Sequence, residues 1–388
     1  MRFLEYENCT ACTACMTVCP EKAIEMKEDE EGFLYPVIKA EYCNECGVCG
    51  SVCPMINHSK DKDSSYEIKA YAIKHQNQNV LRQSTSGGMF TALSDYVLQN
   101  KGAVYGAILD NSFRIKHIRA TTEAERDLMR GSKYVQSDLG NVFSDIIKDL
   151  RENKQVLFIG TPCQVDGLKH ILSPTIDKRN LILVDIICNG VPSPGLFFDY
   201  ISYCEKMQKK KIIRHDFRPK DYGWGHIEHN VFADGTIDNI SVFSQAWRFI
   251  FYSGNAHRKS CYNCPYTNIN RVSDITLGDF WGIELTDLQI NREDGVSVCF
   301  INSEIGREVL ENISNCLEIT CTTVKDAIIK QPRMRGVCAK ADRRNEFWNE
   351  YKMKGAMYVI EKYGRCTVYI RFKHWLKRVF MKMLNGVN

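Results

Sequence analysis

The chain has 388 residues, of which 44% are hydrophobic and 25% charged, and its formal net charge is +4. This length exceeds what one ordinary hydrophobic core takes up, so at least two domains are expected. The basic residues are spread along the chain instead of forming a block, and this mild charge excludes nucleic acid as an expected partner.

The N-terminal segment "MRFLEYENCT" has no uninterrupted apolar stretch, so it does not have the pattern of a secretory signal. No apolar run reaches the length needed to cross a bilayer. A cytoplasmic location is therefore expected. In a reducing compartment the 18 cysteines indicate metal ligands or redox thiols in preference to disulfides.

Two copies of the pattern CxxCxxCxxxCP occupy residues 9–20 and 43–54. Three thiolates at this spacing bind one face of an iron–sulfur cubane, and the fourth, before proline, reaches the other cluster. Zinc would use two CxxC pairs and leave the third cysteine without a role. Residues 1–58 thus resemble a bacterial two-cluster ferredoxin domain, which passes single electrons. The [4Fe-4S] ligands would be Cys9, Cys12, Cys15 and Cys53 for one cluster, and Cys43, Cys46, Cys49 and Cys19 for the other.

Residues 59–67 are charged and serine-rich, which predicts a linker. Beyond it, segments with the period of a strand alternate with segments that have the period of a helix. The later strands are apolar on both faces, which predicts a mixed α/β sheet covered by helices. We divide this part into residues 68–150, 151–335 and a helical basic tail, 336–388. The predicted strands are 68–75, 103–110, 113–120, 156–160 and 181–188, and helices are predicted from 89, over 123–131, over 138–153 and shortly after 160.

The stretch "STSGG" at 84–88 opens the predicted helix that contains Met89. Its glycines, its hydroxyls and the free N–H groups of a helix start could together bind a phosphate, although an ordinary capped turn has the same composition. No GxGxxG follows a strand, so a Rossmann site for a nicotinamide cofactor has no support.

Four further cysteines follow apolar strands or lie in a predicted loop. Cys163 comes after strand 156–160 and Cys188 ends strand 181–188, so both are expected at the carboxyl edge of the sheet, where ligands collect. Cys261 and Cys264 form the pair "CYNCP", which would complete four ligands for a third cluster. Isolated buried cysteines and a redox disulfide are the alternatives. The other cysteines are interpreted as packing residues: Cys204, Cys299, Cys316, Cys321, Cys338 and Cys366.

A series of motifs then identifies a family resemblance over about residues 65–335. The motifs are "STSGG", "GSKYVQS" (131–137), "GTPCQVDGL", "DIICNGVPS" (185–193), "FRPKDYGWG" (217–225) and "CYNCPYTNINRVSDITLGDFWG" (261–282). Their order and spacing resemble the beta subunit of coenzyme F-420 hydrogenase/dehydrogenase, whose relatives include the plant 7-hydroxymethyl chlorophyll a reductase.

The resemblance implies an FAD-containing α/β domain with a [4Fe-4S] cluster beside the flavin. It makes Cys163, Cys188, Cys261 and Cys264 the ligands of that cluster. Lys133 would supply positive charge near the flavin, unless it is an exposed lysine at a helix end. Asp279 and Trp281 either line the pocket or form a structural turn. The expected flavin-binding residues are Ser84, Ser86, Gly87, Gly88, Ser132, Lys133 and Thr161.

The expected function is electron transfer between a ferredoxin-like one-electron carrier, the clusters, FAD and a two-electron small-molecule substrate. That substrate could be a deazaflavin or a cell-surface polysaccharide precursor. The alternative is an adaptor subunit that feeds a partner enzyme. No catalytic residue is assigned. His226 and His229 are the only pair of histidines beside a family motif, but the alternation of His226, Glu228 and Asn230 favours the solvated face of a strand.

The C-terminal segment 369–384 predicts a basic amphipathic helix. Such a helix could bind a partner enzyme, could lie on the inner face of a membrane, or could pack on its own domain. These alternatives stay open.

Overall fold

The structure is a computed structural model, which describes residues 6–57, 66–337 and 341–373. Most of the predicted linker, Cys338 and most of the predicted amphipathic helix lie outside the described residues. None of the described helices combines the length and the hydropathy needed to span a bilayer.

The strands of the described residues are β1 Ile24–Glu28, β2 Leu34–Ile38, β3 Lys69–His75, β4 Ala103–Leu109, β5 Ile115–Ala120, β6 Val156–Gly160, β7 Leu181–Ile186, β8 Ile212–Asp216, β9 His229–Phe232, β10 Ile237–Asp238, β11 Ile275–Asp279, β12 Ser297–Ile301 and β13 Leu317–Thr322. The helices are α1 Ala14–Val18, α2 Val48–Ser51, α3 Gln78–Arg82, α4 Met89–Gln99, α5 Glu123–Asp127, α6 Val142–Arg151, α7 Pro162–Ile171, α8 Pro194–Gln208, α9 Ala246–Ser253, α10 Glu304–Asn312, α11 Val324–Ala327, α12 Arg344–Lys354 and α13 Ala356–Tyr363.

An eight-stranded mixed sheet forms the centre of the molecule, in the order β13-β3-β12-β11-β7-β6-β4-β5. The four strands β4, β6, β7 and β11 are parallel, and antiparallel strands flank them on both sides. The predicted mixed α/β class is therefore confirmed. The parallel strands β6 and β7 are almost continuously apolar because both of their faces are covered.

Helices cover both faces of the sheet. Successive residues of a strand point to opposite faces, so neighbouring residues belong to different cores. Leu157 of β6 packs in one core with Met89 and Leu93 of α4. The next residue, Phe158, belongs to the opposite core, with Phe143 of α6 and residues of α7. This layering puts the start of α7, and with it Cys163, at the carboxyl edge of β6.

The N-terminal domain consists of the β1–β2 hairpin and the two short helices α1 and α2, and it packs on α6 and α7. The contact is close at Gly167 of α7, where an added Cβ would lie 2.8 Å from the Cys12 Sγ. A third unit contains the small sheet β10-β9-β8 with α8, α9, α12 and α13, and its core surrounds the buried Trp247.

Candidate functional site

The cysteines of the N-terminal domain face two neighbouring recesses. A cavity of about 120 Å³ is lined by four of them, together with Cys49 from the other group. A smaller recess of about 20 Å³ is lined by the second group. These groups have the same members as the two that the sequence predicts. We call Cys9, Cys12, Cys15 and Cys53 the proximal set, and Cys19, Cys43, Cys46 and Cys49 the distal set.

The local backbone is shaped to point N–H groups at these sulfurs. Ala11 and Thr13 have positive φ values of 54° and 60°, which curl the loop between the first cysteines. The Ala11 N–H donates to the Cys9 Sγ at 3.4 Å, and the Ala23 N–H donates to the Cys19 Sγ at 3.3 Å. Such donors stabilise thiolate sulfur, so the donor set is chemically suited to iron–sulfur clusters.

Four more cysteines meet beyond the sheet and form the core set: Cys163, Cys188, Cys261 and Cys264. Cys163 lies in the first turn of α7, Cys188 lies two residues beyond β7, and the pair lies in and after the 3-10 turn Lys259–Asn263. Burial, and next the nearby Cys264 thiol, raise the pKa of Cys163 to about 12. Burial also raises the pKa of Cys261, and the other three core thiols raise it further. The four side chains are thus mutual neighbours in a desolvated pocket.

Hydrogen bonds hold the core sulfurs in place. The Gly190 N–H donates to the Cys188 Sγ at 3.4 Å, and the Thr161 hydroxyl lies 3.2 Å from the Cys163 Sγ. Among the described residues no His, Cys, Asp or Glu group has the spacing of a single metal-ion site. A tetrahedral ion would need sulfurs within about 4 Å of one another, whereas a cubane separates its thiolates more widely.

The proximal set adjoins the core set. Burial raises the pKa of Cys12 well above its usual value, and the neighbouring thiols Cys9, Cys15 and Cys163 raise it further. The distal set adjoins the proximal set, since Cys49 lines both recesses, and it reaches the surface, where Cys46 is exposed to solvent. The three sets therefore form a series from the surface to the sheet edge, in the order distal, proximal, core.

A larger cavity of about 300 Å³ lies at the carboxyl ends of β6, β7 and β11, and Cys163 and Cys188 form part of its wall. Six of the seven residues that the resemblance assigns to a flavin also line it: Ser84, Ser86, Gly88, Ser132, Lys133 and Thr161. Gly87 does not contribute to the lining. It packs instead on the sheet, where an added Cβ would lie 2.2 Å from the Ile73 carbonyl oxygen.

The hydroxyl groups of the 84–88 turn are engaged within the protein. Ser84 donates to the Val80 carbonyl at 2.7 Å, and Ser86 donates to the Val296 carbonyl at 2.9 Å. A hydroxyl has one proton to donate, so these two can offer a ligand only their lone pairs. The Thr85 hydroxyl, which also lines the cavity, accepts from the Ser132 N–H at 3.0 Å and can still donate its own proton.

Lys133 is a half-buried cation in the wall of this cavity. Its ammonium donates to the carbonyls of Met129 at 2.7 Å, Arg130 at 3.0 Å and Leu128 at 3.3 Å, just after the end of α5. It therefore lies near a helix end, as in the alternative interpretation, but it is not fully exposed. Burial lowers the pKa of Lys133 to about 7, while the three carbonyl acceptors favour the charged form.

The cavity wall also contains a cluster of polar side chains that the sequence indicated only in part. Asp279 and Trp281 both line the cavity, and Arg218 pairs with Asp279 at 2.5 Å. Arg218 also donates to the Tyr134 hydroxyl at 3.1 Å, and Trp224 donates to Asp279 at 2.8 Å. Arg218 and Trp224 belong to the motif "FRPKDYGWG", which marks them as candidates. Asp279, the ion-pair partner of Arg218, lies 61 residues further along the chain.

Two expectations from the sequence are wrong. His226, Glu228 and Asn230 do not form a solvated strand face, because Glu228 and Asn230 are fully buried (0% exposed), and α9 covers Glu228. Cys321 is not a packing residue, since it is exposed on the edge strand β13. Cys204, Cys299 and Cys366 are buried as expected, and Cys316 is half-buried.

The N-terminal cysteine pattern and two family matches define an iron–sulfur protein related to oxidoreductases. Residues 153–327 match the sequence model of a family described as the C terminus of the coenzyme F420 hydrogenase/dehydrogenase beta subunit. Residues 8–56 match that of the 4Fe-4S dicluster domain. The resemblance drawn from the motifs is therefore confirmed, with a dicluster match near the N-terminal end and a beta-subunit match in the second half of the chain. The motifs "STSGG" and "GSKYVQS" precede the matched range.

The chain is also similar to two individual proteins. A curated relative, the F subunit of the F(420)H(2) dehydrogenase of Methanosarcina mazei, is 20% identical over 328 residues, covering 81% of this chain and 85% of its own length. A chain of the F420-reducing [NiFe] hydrogenase complex from Methanosarcina barkeri, solved after xenon derivatization, aligns with a TM-score of 0.45 and 15% identity. That alignment covers 78% of this chain and 94% of the other.

Proposed function

We propose that the protein is a flavin-dependent oxidoreductase that conducts electrons between an external one-electron carrier and a two-electron substrate. The observation that carries the proposal is the series of cysteine sets. Cys12 of the proximal set adjoins Cys163 of the core set, and Cys163 and Cys188 form part of the wall of the large cavity. Three [4Fe-4S] clusters and one FAD at these places would supply one-electron conduction and its conversion to two-electron chemistry.

The exposure of the cysteines indicates which end of the series faces solvent. The proximal set is enclosed by the N-terminal domain and α7, whereas Cys46 of the distal set reaches solvent. A ferredoxin-like carrier would therefore dock beside the distal set. The proposal specifies only the class of this carrier, a ferredoxin-like protein that transfers one electron at a time.

The large cavity is the proposed place for FAD. Its volume of about 300 Å³ is at the lower end of the range for small-molecule sites, so a dinucleotide would keep part of its length outside. Lys133 places a positive charge in the wall, which would favour an anionic ligand and an anionic reduced ring. The ion-paired Arg218 and Asp279 would orient the ring or the substrate through hydrogen bonds.

The substrate would enter past two aromatic side chains at the cavity wall. Tyr252 is 62% exposed and Trp281 is 38% exposed, and rings at these places suit a planar ligand that stacks on them. A deazaflavin and a cell-surface polysaccharide precursor are both candidates, and only the first of them is planar.

The second candidate function is that of an adaptor without a substrate of its own. The curated relative favours this possibility because its name describes one subunit of a dehydrogenase, and so part of a larger assembly. In that case the large cavity would pass electrons to a partner enzyme.

The experiment that separates the two candidates uses the full chain purified under anaerobic conditions. The protein is reduced with a ferredoxin-class donor, and candidate acceptors are added one at a time while the flavin absorbance is followed. Reoxidation by a small molecule alone would support the enzyme. Reoxidation only after a partner protein is added would support the adaptor, and the lack of any flavin spectrum would refute both flavin-based versions.

A further inference from the structure

Arg258 is a buried cation at the junction of the proximal and core sets. Its side chain is 1% exposed. It directly precedes the 3-10 turn Lys259–Asn263, and its carbonyl accepts the Cys261 N–H at 3.0 Å. The backbone of Arg258 is therefore tied to the core set.

The side chain of Arg258 extends into the N-terminal domain. The guanidinium donates from Nε to the Cys9 carbonyl at 2.6 Å and from Nη2 to the Leu34 carbonyl at 2.9 Å. It also lies over the Tyr35 ring, 3.9 Å from the ring centroid. One residue thus contacts a proximal cysteine with its side chain and a core cysteine with its backbone.

The charge of Arg258 faces only neutral partners. Its third hydrogen bond, from Nη1 at 3.0 Å, goes to the amide oxygen of Gln136. In the part of the chain that the structure describes, Arg258 has no carboxylate at ion-pair distance, whereas the buried Arg344 pairs with Glu31. A buried charge is costly without a counter-charge, so a negative group is expected next to Arg258.

We infer that Arg258 is the shared counter-charge of the proximal and core clusters, and that it raises the reduction potential of both while holding their two sites together. The inference rests on the proposed function, because it requires cubanes at both sets. Four thiolates make such a site negative, and reduction adds one electron without making or breaking a bond. A fixed positive charge between two such sites stabilises the reduced form of each. Arg258 is thus a positioning residue.

The test is a redox titration with dithionite, followed by electron paramagnetic resonance, on the full anaerobic chain. In Arg258→Gln we expect the reduction equilibrium of the proximal and core clusters to fall roughly tenfold, about 59 mV for a one-electron couple. The distal cluster, identified as the signal lost in Cys46→Ser, should not shift. Arg258→Lys keeps the charge and should leave all three potentials near those of the wild type.

The matched control is the double variant Glu31→Gln/Arg344→Gln, which removes another part-buried contact of the N-terminal domain, with α12, without changing the net charge. Its potentials should stay unchanged. An equal shift in this control, or unshifted potentials in Arg258→Gln, would overturn the inference. A wild type without clusters would instead refute the proposed function.

A second variant keeps the test decisive if Arg258→Gln does not fold. Gln136→Glu places a carboxylate where the amide oxygen already lies 3.0 Å from the guanidinium, which neutralises the charge in place. It should lower the same two potentials, and unchanged potentials in this variant would likewise overturn the inference.

Discussion

Replacing Cys163 with serine should remove one cluster out of three. Cys163 is one of four thiols in the core set, and its sulfur is held at the start of α7 by the Thr161 hydroxyl at 3.2 Å. Three clusters of four irons give about twelve irons per chain, so the variant should retain about eight. The proximal and distal sets keep all of their ligands, and Cys12 packs on Gly167 of the same helix without needing the Cys163 sulfur.

The assay is iron and acid-labile sulfide analysis of the anaerobically purified variant, with flavin measured on the same sample. The matched control is Cys321→Ser, which removes an exposed cysteine of β13 and should leave all of the iron in place. Retention of about twelve irons by Cys163→Ser would refute the role of the core set. A loss of nearly all iron would refute the independence of the three sets.

Three further predictions address the surface, the cavity and the domain contact. Cys46→Ser should lower iron by about four per chain and slow reduction by a protein carrier, while the flavin content is unchanged; unaltered reduction kinetics would contradict electron transfer through the distal set. Since the pKa of Lys133 is lowered to about 7, its charge is present at pH 6 and largely lost at pH 8, so FAD should dissociate more readily at pH 8. Ultrafiltration of the protein at the two pH values measures this, and the dependence should vanish in Lys133→Met. Arg344→Gln should lower the unfolding free energy by about 1–3 kcal/mol because the half-buried Glu31 loses its partner, while Glu31→Gln/Arg344→Gln should cost less. Anaerobic urea unfolding compares the variants, and equal midpoints for the single and the double variant would contradict the buried ion pair.

The sequence predicted those elements whose composition or spacing within a short segment is distinctive. The apolar runs that became β6 and β7 are buried on both faces, so their composition alone marks them as central strands. The grouping of the N-terminal cysteines follows from spacings of two and three residues. The four core cysteines were harder to group, because 101 positions separate Cys163 from Cys264 and only the packing of α7 against the later turn brings them together.

Features that depend on distant packing were not predicted. Arg258 and Cys9 are 249 positions apart, and nothing in the neighbourhood of Arg258 indicates a contact with the N-terminal domain. Glu228 looked solvated because it alternates with other polar residues, yet α9 covers it and the Arg248 N–H donates to its carboxylate at 3.2 Å. Cys321 has the period of a strand, but β13 pairs only with β3 at the edge of the sheet, which leaves the thiol exposed.

The most direct measurement of the central claim is the cofactor content of the intact wild-type chain, purified without oxygen. We expect about twelve irons, about twelve sulfides and one FAD per chain. A value near eight irons would show that the core cluster is absent. The proposed link between the N-terminal domain and the cavity would then be absent too. Bound zinc without flavin would contradict the proposed function as a whole.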